Sequence, residues 1–315
     1  VETMGALHNC DNLKNLYLGD KVKIEGDIIG KCPKLESITV SEKNPYYKVV
    51  DGCLYSKDGK ILIIVPKNKA GILKLPDGVQ ELASYCIANC TKIEKVVLPD
   101  SVEKIGEEVF NVCYKLKNLS FGDNIKDIGG NIFDGTSVYY NDQKNWEDGI
   151  LYIGKYAICC ENYHDEYRVK EGTRLIAPFA FFSSKASRII LPDSVEYICH
   201  YALSGENLKF LKLGKNIKYI DGSNFGSCEN LWSLSVPNCI ENKFVLDYVK
   251  YVSLQNACIV GNGNEQNSII ECIKMPSTEY VMSEMGRSKR YVLTDSEKLF
   301  AGSFDGITGV NIFLN

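Results

Sequence analysis

The stretch "LPDSVEKIGEEVFNVCYKLKNLSF" at residues 98–121 returns almost unchanged as "LPDSVEYICHYALSGENLKFLKLG" at 191–214. The spacing of such echoes is what most limits the folds open to the chain. Leu75-Pro76, Leu98-Pro99 and Phe121-Gly122 lie 23 residues apart; Leu191-Pro192, Leu213-Gly214 and Val236-Pro237 follow at 22 and 23, and Leu18-Gly19 and Val40-Ser41 are separated by 22. A repeat this short cannot bury its apolar side alone, so its copies must stack around one continuous core.

The apolar residues recur at matched offsets within each unit. One column holds Val79, Val102, Ile125, Val195 and Ile217, and three residues later comes Leu82, Ile105, Ile128, Ile198 and Ile220. A large apolar residue follows at Ile87, Phe110, Phe133, Leu203 and Phe225. The unit closes on a strand-like L-x-x-L-x-L, seen as Leu116, Leu119 and Phe121 or Leu231, Leu234 and Val236. The stretch before Phe110 and Phe225 is suited to one short helical turn, and Pro after the strand turns the chain toward the outer face. The pattern predicts rungs centred near 17, 39, 74, 97, 120, 168, 190, 212 and 235, and weaker ones near 253, 274 and 313.

Two segments interrupt the period. In "NPYYKVVDGCLYSKDGKILIIVPKNKAG" (44–71) alternating residues flank Asp58-Gly59, a favoured hairpin turn, and "NWEDGILYIGKYAICCENY" (145–163) turns at Gly154-Lys155. Both read as β-hairpin inserts, near 41–72 and 141–166, laid across the array as structural decoration.

The phrase at 98–121 resembles the BspA-like branch of the leucine-rich-repeat proteins. The resemblance covers about 1–40, 73–140 and 167–240. It implies an α/β leucine-rich-repeat solenoid of 22–23-residue units, with a curved parallel sheet, short helical turns opposite and the two hairpin inserts. On this reading residues 1–240 form the solenoid and 241–315 degenerate repeats and a C-terminal cap continuous with it. Members of the resembling family are commonly bacterial cell-surface or secreted proteins implicated in adhesion to host matrix or other cells. The resemblance therefore implies a non-enzymatic binding module at the cell surface or outside the cell.

The remaining chemistry is consistent with a binding module. A net charge of -4 gives no electrostatic reason to expect nucleic acid or an anionic membrane, and the longest aliphatic run, "ILIIV" at 61–65, falls far short of the roughly 20 apolar residues that span a bilayer. Five of the thirteen cysteines, Cys10, Cys32, Cys90, Cys113 and Cys228, share one inward column, where a thiol behaves as a small hydrophobe; a disulfide among the others stays open. No Cys-x-x-Cys occurs, the histidines are only His8, His164 and His200, and neither metal nor cofactor is expected. The one catalytic-looking cluster, His164 near Asp165, Glu166, Cys159 and Cys160, falls in a polar loop where a solvated surface is the default; "GNGNEQ" (261–266) reads as a turn.

In a solenoid the residues between buried strand positions point outward. They read Asn15 and Tyr17, Ser37 and Thr39, Lys95 and Val97, Asn118 and Ser120, then Arg188 and Ile190, Phe210 and Lys212, Ser233 and Ser235. The first four pairs are mostly small and polar. Ile190 and Phe210 should be neighbours flanked by Arg188 and Lys212, with Trp232 at the next rung's edge. Grouped apolar and aromatic residues with Arg mark a contact site, so Arg188, Ile190, Phe210, Lys212 and Trp232 are the candidate ligand-binding residues for a protein or glycan, host matrix included. An insert or the C-terminal region folding over the patch is the competing reading. Two further functions stay open: a structural spacer presenting flanking domains of a longer protein, and a hydrolase with a site in 241–298, where Ser277, Glu279, Arg287 and Lys289 lie. Because Leu7 and Cys10 match the latter half of a unit, a longer parent protein is expected. The oligomeric state is not fixed by the sequence.

Overall fold

The L-x-L phrase at the end of each repeat alternates inward and outward side chains, which is the requirement for a strand with one face on the core. In the computed structural model these phrases form parallel ladders. The structure describes residues 10–24, 32–133, 136, 142–225 and 228, and the backbone of strands Glu2–Met4, Ser233–Pro237, Cys258–Asn262, Arg290–Leu293 and Asn311–Leu314. It divides into two units, residues 1–146 and 147–315.

In the first unit Asn15–Leu18 pairs parallel with Ser37–Val40, and Ala70–Lys74, Lys92–Val97 and Asn118–Ser120 form a parallel sheet of three strands. A second ladder joins the short strands Glu81–Leu82, Lys104–Ile105 and Asp127–Ile128. In the second unit Glu166–Arg168, Arg188–Ile190, Phe210–Lys212, Ser233–Pro237, Cys258–Asn262, Arg290–Leu293 and Asn311–Leu314 run parallel in that order. Its second ladder carries Tyr156–Cys160, Leu175–Ile176, Tyr197–Ile198 and Tyr219–Ile220. Of the three weaker rungs, the one near 313 lies in Asn311–Leu314, whereas 253 and 274 lie outside the described residues; a strand at Cys258–Asn262 falls between them. "GNGNEQ" begins in strand, since Gly261 and Asn262 pair with Val236 and Pro237.

The matched columns line the core. Val79, Val102, Ile125, Val195, Leu82, Ile105, Ile128, Ile198, Ile220, Ile87, Phe110 and Leu203 are all buried completely. Each such aliphatic side chain contributes roughly 2 kcal/mol of burial. Phe110 stacks with Phe133, the next member of the large-residue column, at 5.8 Å between ring centroids, and with the strand-end Phe121 at 6.0 Å.

The structure corrects two expectations. The fold is a β-solenoid and not α/β: among the described residues the helices are two 3-10 turns, Gln143–Asn145 and Gly222–Phe225. The stretch before Phe225 does form one short turn, the 3-10 turn Gly222–Phe225, but before Phe110 backbone N–H groups bond to the neighbouring rung, as in Tyr85 to Glu107 (2.9 Å), Glu108 to Gly130 (3.0 Å) and Phe110 to Ile132 (3.0 Å). These bonds replace the bonds four residues back that a helix needs. A left-handed residue in one recurring column turns the chain out of helical geometry: Tyr85 (φ 61°), Glu108 (49°) and Asn131 (53°), then Phe179 (58°) and Tyr201 (51°).

The second correction concerns the inserts. Antiparallel pairs do occur at Tyr47–Val50 with Cys53–Ser56, Cys53–Ser56 with Ile61–Ile64, and Ile150–Ile153 with Tyr156–Cys160. They are not decorations laid across the array. Ile61–Ile64 pairs parallel with Glu81–Leu82, and Tyr156–Cys160 with Leu175–Ile176, so each segment supplies the next strand of the second ladder. Leu54, Leu62, Ile64, Ile150 and Leu151 are fully buried, and that apolar content binds the segments into the core.

Candidate binding face

The face is built by three strands of the second unit whose central residues, Tyr167, Ile189 and Leu211, are buried and whose flanking residues are not. The parallel register aligns Glu166, Arg188 and Phe210 in one outward column and Arg168, Ile190 and Lys212 in the other. Ser233 and Ser235 take the next positions in register. Arg188, Ile190, Phe210 and Lys212 are all half-buried, while Glu166 and Arg168 are exposed. Trp232 lies outside the described residues, as do Ser277, Glu279, Arg287, Lys289 and His8.

Direct neighbours differ from those expected. A 22-residue repeat pairs Arg188 with Phe210 and Ile190 with Lys212, which makes Ile190 and Phe210 diagonal. The Arg188 guanidinium lies over the Phe210 ring, 4.2 Å from its centroid. Its Nε also approaches Oε2 of Glu166 at 3.5 Å, while Oε1 of the same carboxylate meets Nε of Arg168 at 2.5 Å. Glu166 thus spaces two arginines, and the ring beneath Arg188 restricts its side chain, a cation–π contact of about 0.5–1 kcal/mol at a half-open site. Glu166 and Arg168 were not read as part of the patch. The signal was present: a strand centred near 168 lies one period before Ile190.

The first unit presents a different face. Asn15 and Ser37 are hydrogen-bonded through their side chains at 2.6 Å, Tyr17 and Ile72 are two-thirds exposed (67% and 66%), and Ile72 lies in register with Lys95 and Asn118. These residues form no comparable cluster of arginine on aromatic.

The catalytic-looking cluster does not assemble as a nucleophile and base. His164 Nε2 sits 3.3 Å from Glu161 Oε2, and the ring packs against Tyr163 and Tyr167. Burial pushes the Cys159 and Cys160 thiols up to about 12, the opposite of activation. Cys199 is buried, whereas His200 lies among the rings of Phe179 and Tyr201, so the adjacent pair diverges. Among the described residues no group of three His, Cys, Asp or Glu side chains is arranged to hold a metal ion, and no helix is long and apolar enough to cross a membrane.

The profile of the BspA type leucine rich repeat region matches in six copies, over residues 67–159, 138–251 and 174–281, which together run from 67 to 281 of 315. The chain belongs to this family. Leucine-rich-repeat solenoids of this kind are generally non-enzymatic protein-interaction scaffolds. A comparison with curated proteins found no match. Among solved structures, the pneumococcal vaccine antigen PcpA is similar at 19% identity over 100% of this chain and 60% of that one, with a TM-score of 0.41. A leucine-rich repeat protein from Eubacterium ventriosum is 22% identical over 67% of this chain and 58% of its own, TM-score 0.36. A leucine rich cell surface protein from Faecalibacterium prausnitzii is 18% identical over 84% of each chain, TM-score 0.33. This leucine-rich-repeat chain spans about three fifths of the length of the first two, at 60% and 58%.

Proposed function

We propose that this protein is a non-enzymatic binding module at the cell surface or outside the cell, which uses the outward columns of the second unit's sheet to adhere to a protein. The observation that carries the reading is the Arg188 guanidinium held 4.2 Å over Phe210, with Ile190 and Lys212 alongside. Arginine preordered on an aromatic ring loses less entropy on binding, which is how a few residues come to dominate an interface. A glycan would need a bare aromatic face for its sugar ring, and Arg188 already occupies one face of Phe210, which favours protein over glycan. Membership of this repeat family supports the proposed location and adhesive role. On the same reading residues 241–315 continue the array as degenerate repeats and a cap, in keeping with the parallel pairing that links Ser233–Pro237, Cys258–Asn262, Arg290–Leu293 and Asn311–Leu314.

The test is a binding panel of purified matrix proteins and immobilised glycans, probed with wild type and with Arg188→Ala/Phe210→Ala. The expected result is a protein ligand retained by wild type, lost by the double variant, and no change in melting temperature. A double variant that melts several degrees lower would make the patch core and end the proposal. If the panel gives no ligand while flanking regions of a longer protein do bind, the chain is a spacer that presents them.

A further inference from the structure

We propose that the segment bound by this face is an acidic stretch of polypeptide, with carboxylates interleaved with apolar side chains; this rests on the binding-face reading above. Across the three strands the outward columns carry three cations, Arg168, Arg188 and Lys212, against one carboxylate, Glu166, in a chain whose net charge is -4. The local charge therefore opposes that of the whole molecule, and a face of this sign selects and steers an anionic partner.

Placement adds specificity to sign. Arg188 and Lys212 are diagonal in the register, as are Ile190 and Phe210, so charged and apolar groups alternate as on a checkerboard. Neighbouring strands are about 4.8 Å apart and alternate residues along a strand about 6.8 Å, so the two cations are separated by roughly 8 Å at the backbone. An extended peptide places like-facing side chains about 6.8 Å apart, close to that spacing. It can set carboxylates on the cations and an aliphatic or aromatic side chain against Ile190. Glu166 approaches both arginines nearest at Nε, and each guanidinium has five N–H donors, which leaves the terminal nitrogens as a fork for a second carboxylate. Lys212 has no ion pair among the described residues. A uniform polyanion would satisfy the cations and leave Ile190 without an apolar contact, which is why a mixed polypeptide is favoured over a carboxylated polysaccharide.

The experiment uses the whole chain immobilised on a biosensor, with poly(Glu,Tyr) copolymer, poly-L-lysine and polygalacturonate as probes at about 50 and about 300 mM NaCl. Thermal melts accompany every variant. Poly(Glu,Tyr) is expected to bind, poly-L-lysine not, and the affinity to fall about tenfold across the salt step. Arg168→Gln/Arg188→Gln/Lys212→Gln should lose about tenfold or more with unchanged melting, and Arg188→Lys should retain only part of the affinity because a point charge replaces the fork. The proposal is overturned if poly(Glu,Tyr) binds no better than poly-L-lysine or if the triple variant binds as well as wild type. Equal binding of polygalacturonate through the same three residues would make the partner a polysaccharide and overturn it too. Failure here with the panel ligand still lost in Arg188→Ala/Phe210→Ala sinks only the acidic chemistry. If that ligand also survives the double variant, the face itself is wrong.

Discussion

Glu196 shows how single residues hold adjacent rungs together. Its carboxylate meets Arg174 Nη2 at 2.6 Å on one side and Lys218 Nζ at 3.0 Å on the other, so cation, anion and cation alternate over three consecutive rungs. Burial raises the Glu196 carboxyl, and the hydrogen bonds and charges of Arg174 and Lys218 outweigh it, leaving the group below its ordinary 4.5. A folded pKa below the unfolded one means the unfolded chain takes up protons first as acid is added. The stabilisation is therefore complete well above pH 4.5 and is lost as pH falls below it. Glu196→Gln should cost about 1 kcal/mol at pH 7, since Lys218 is largely exposed and screened. Thermal melts from pH 7 to pH 3 should show the gap between wild type and variant closing on the acid side; a gap that persists at pH 3 would mean the carboxylate's charge is not what stabilises. Like-sign residues at this column would stack repulsion through the array, and the sequence alternates sign here, Arg174, Glu196 and Lys218, within an otherwise repeating phrase.

The rung, as an element, is defined by how closely its backbone sits on the next. A Cβ added to Gly106 would lie 2.4 Å from the Ser84 backbone nitrogen and 2.8 Å from its Cα, neither of which can move aside without separating the rungs. At Gly19, by contrast, the added carbon would meet only side-chain atoms at 3.9 and 4.0 Å. Gly106→Ala should therefore destabilise by about 2 kcal/mol or more, as overpacking against backbone does, whereas Gly19→Ala should stay within about 1 kcal/mol. Urea unfolding of the two variants checks this, and equal midpoints would mean the rungs can spread freely. The same contrast explains what the sequence could reveal. The strands and buried columns were legible because burial imposes a period on apolar residues such as Val102, Ile105 and Phe110. The turn before Phe110 was misread as helix because its apolar spacing is compatible with one, while the deciding bonds, such as Asn89 N–H to Asn111 carbonyl at 2.8 Å, run between rungs and leave no mark on composition. The hairpins were found as hairpins and misplaced as inserts for a related reason: the partner of Ile61–Ile64 beyond its turn is Glu81–Leu82, a non-local pairing no turn motif encodes. On the proposed binding face, the outward direction of Arg188, Ile190, Phe210 and Lys212 followed from alternation, but the pairing of Arg188 with Phe210 required the register.

At the scale of the whole molecule, the most distributed chemical feature is thiol burial. The chain has thirteen cysteines, and the ten whose side chains are described are all thiols. Cys32, Cys90 and Cys113 of the inward column are buried, as are Cys53, Cys86 and Cys199 at other positions, so these thiols serve as small hydrophobic core residues. Burial pushes Cys53 up to about 11 and Cys113, Cys159 and Cys160 up to about 12, from 9.0 in the unfolded chain. The native state holds these protons where the unfolded state has released them. The stability they support is therefore intact below pH 9 and declines as pH rises from 9 toward the folded values, by on the order of 1 kcal/mol per thiol per pH unit. Urea midpoints measured with reductant at pH 7.5, 9 and 10 should accordingly be flat to about pH 9 and then fall steeply. Cys113→Val keeps the apolar volume without the ionisable group, and its curve should cross wild type, less stable or equal at neutral pH and relatively more stable at pH 10. Should the variant and wild type fall in parallel above pH 9, the alkaline loss belongs to tyrosines such as Tyr152, whose hydroxyl burial also raises to about 12, and the buried thiols are not the molecule's weak point in base.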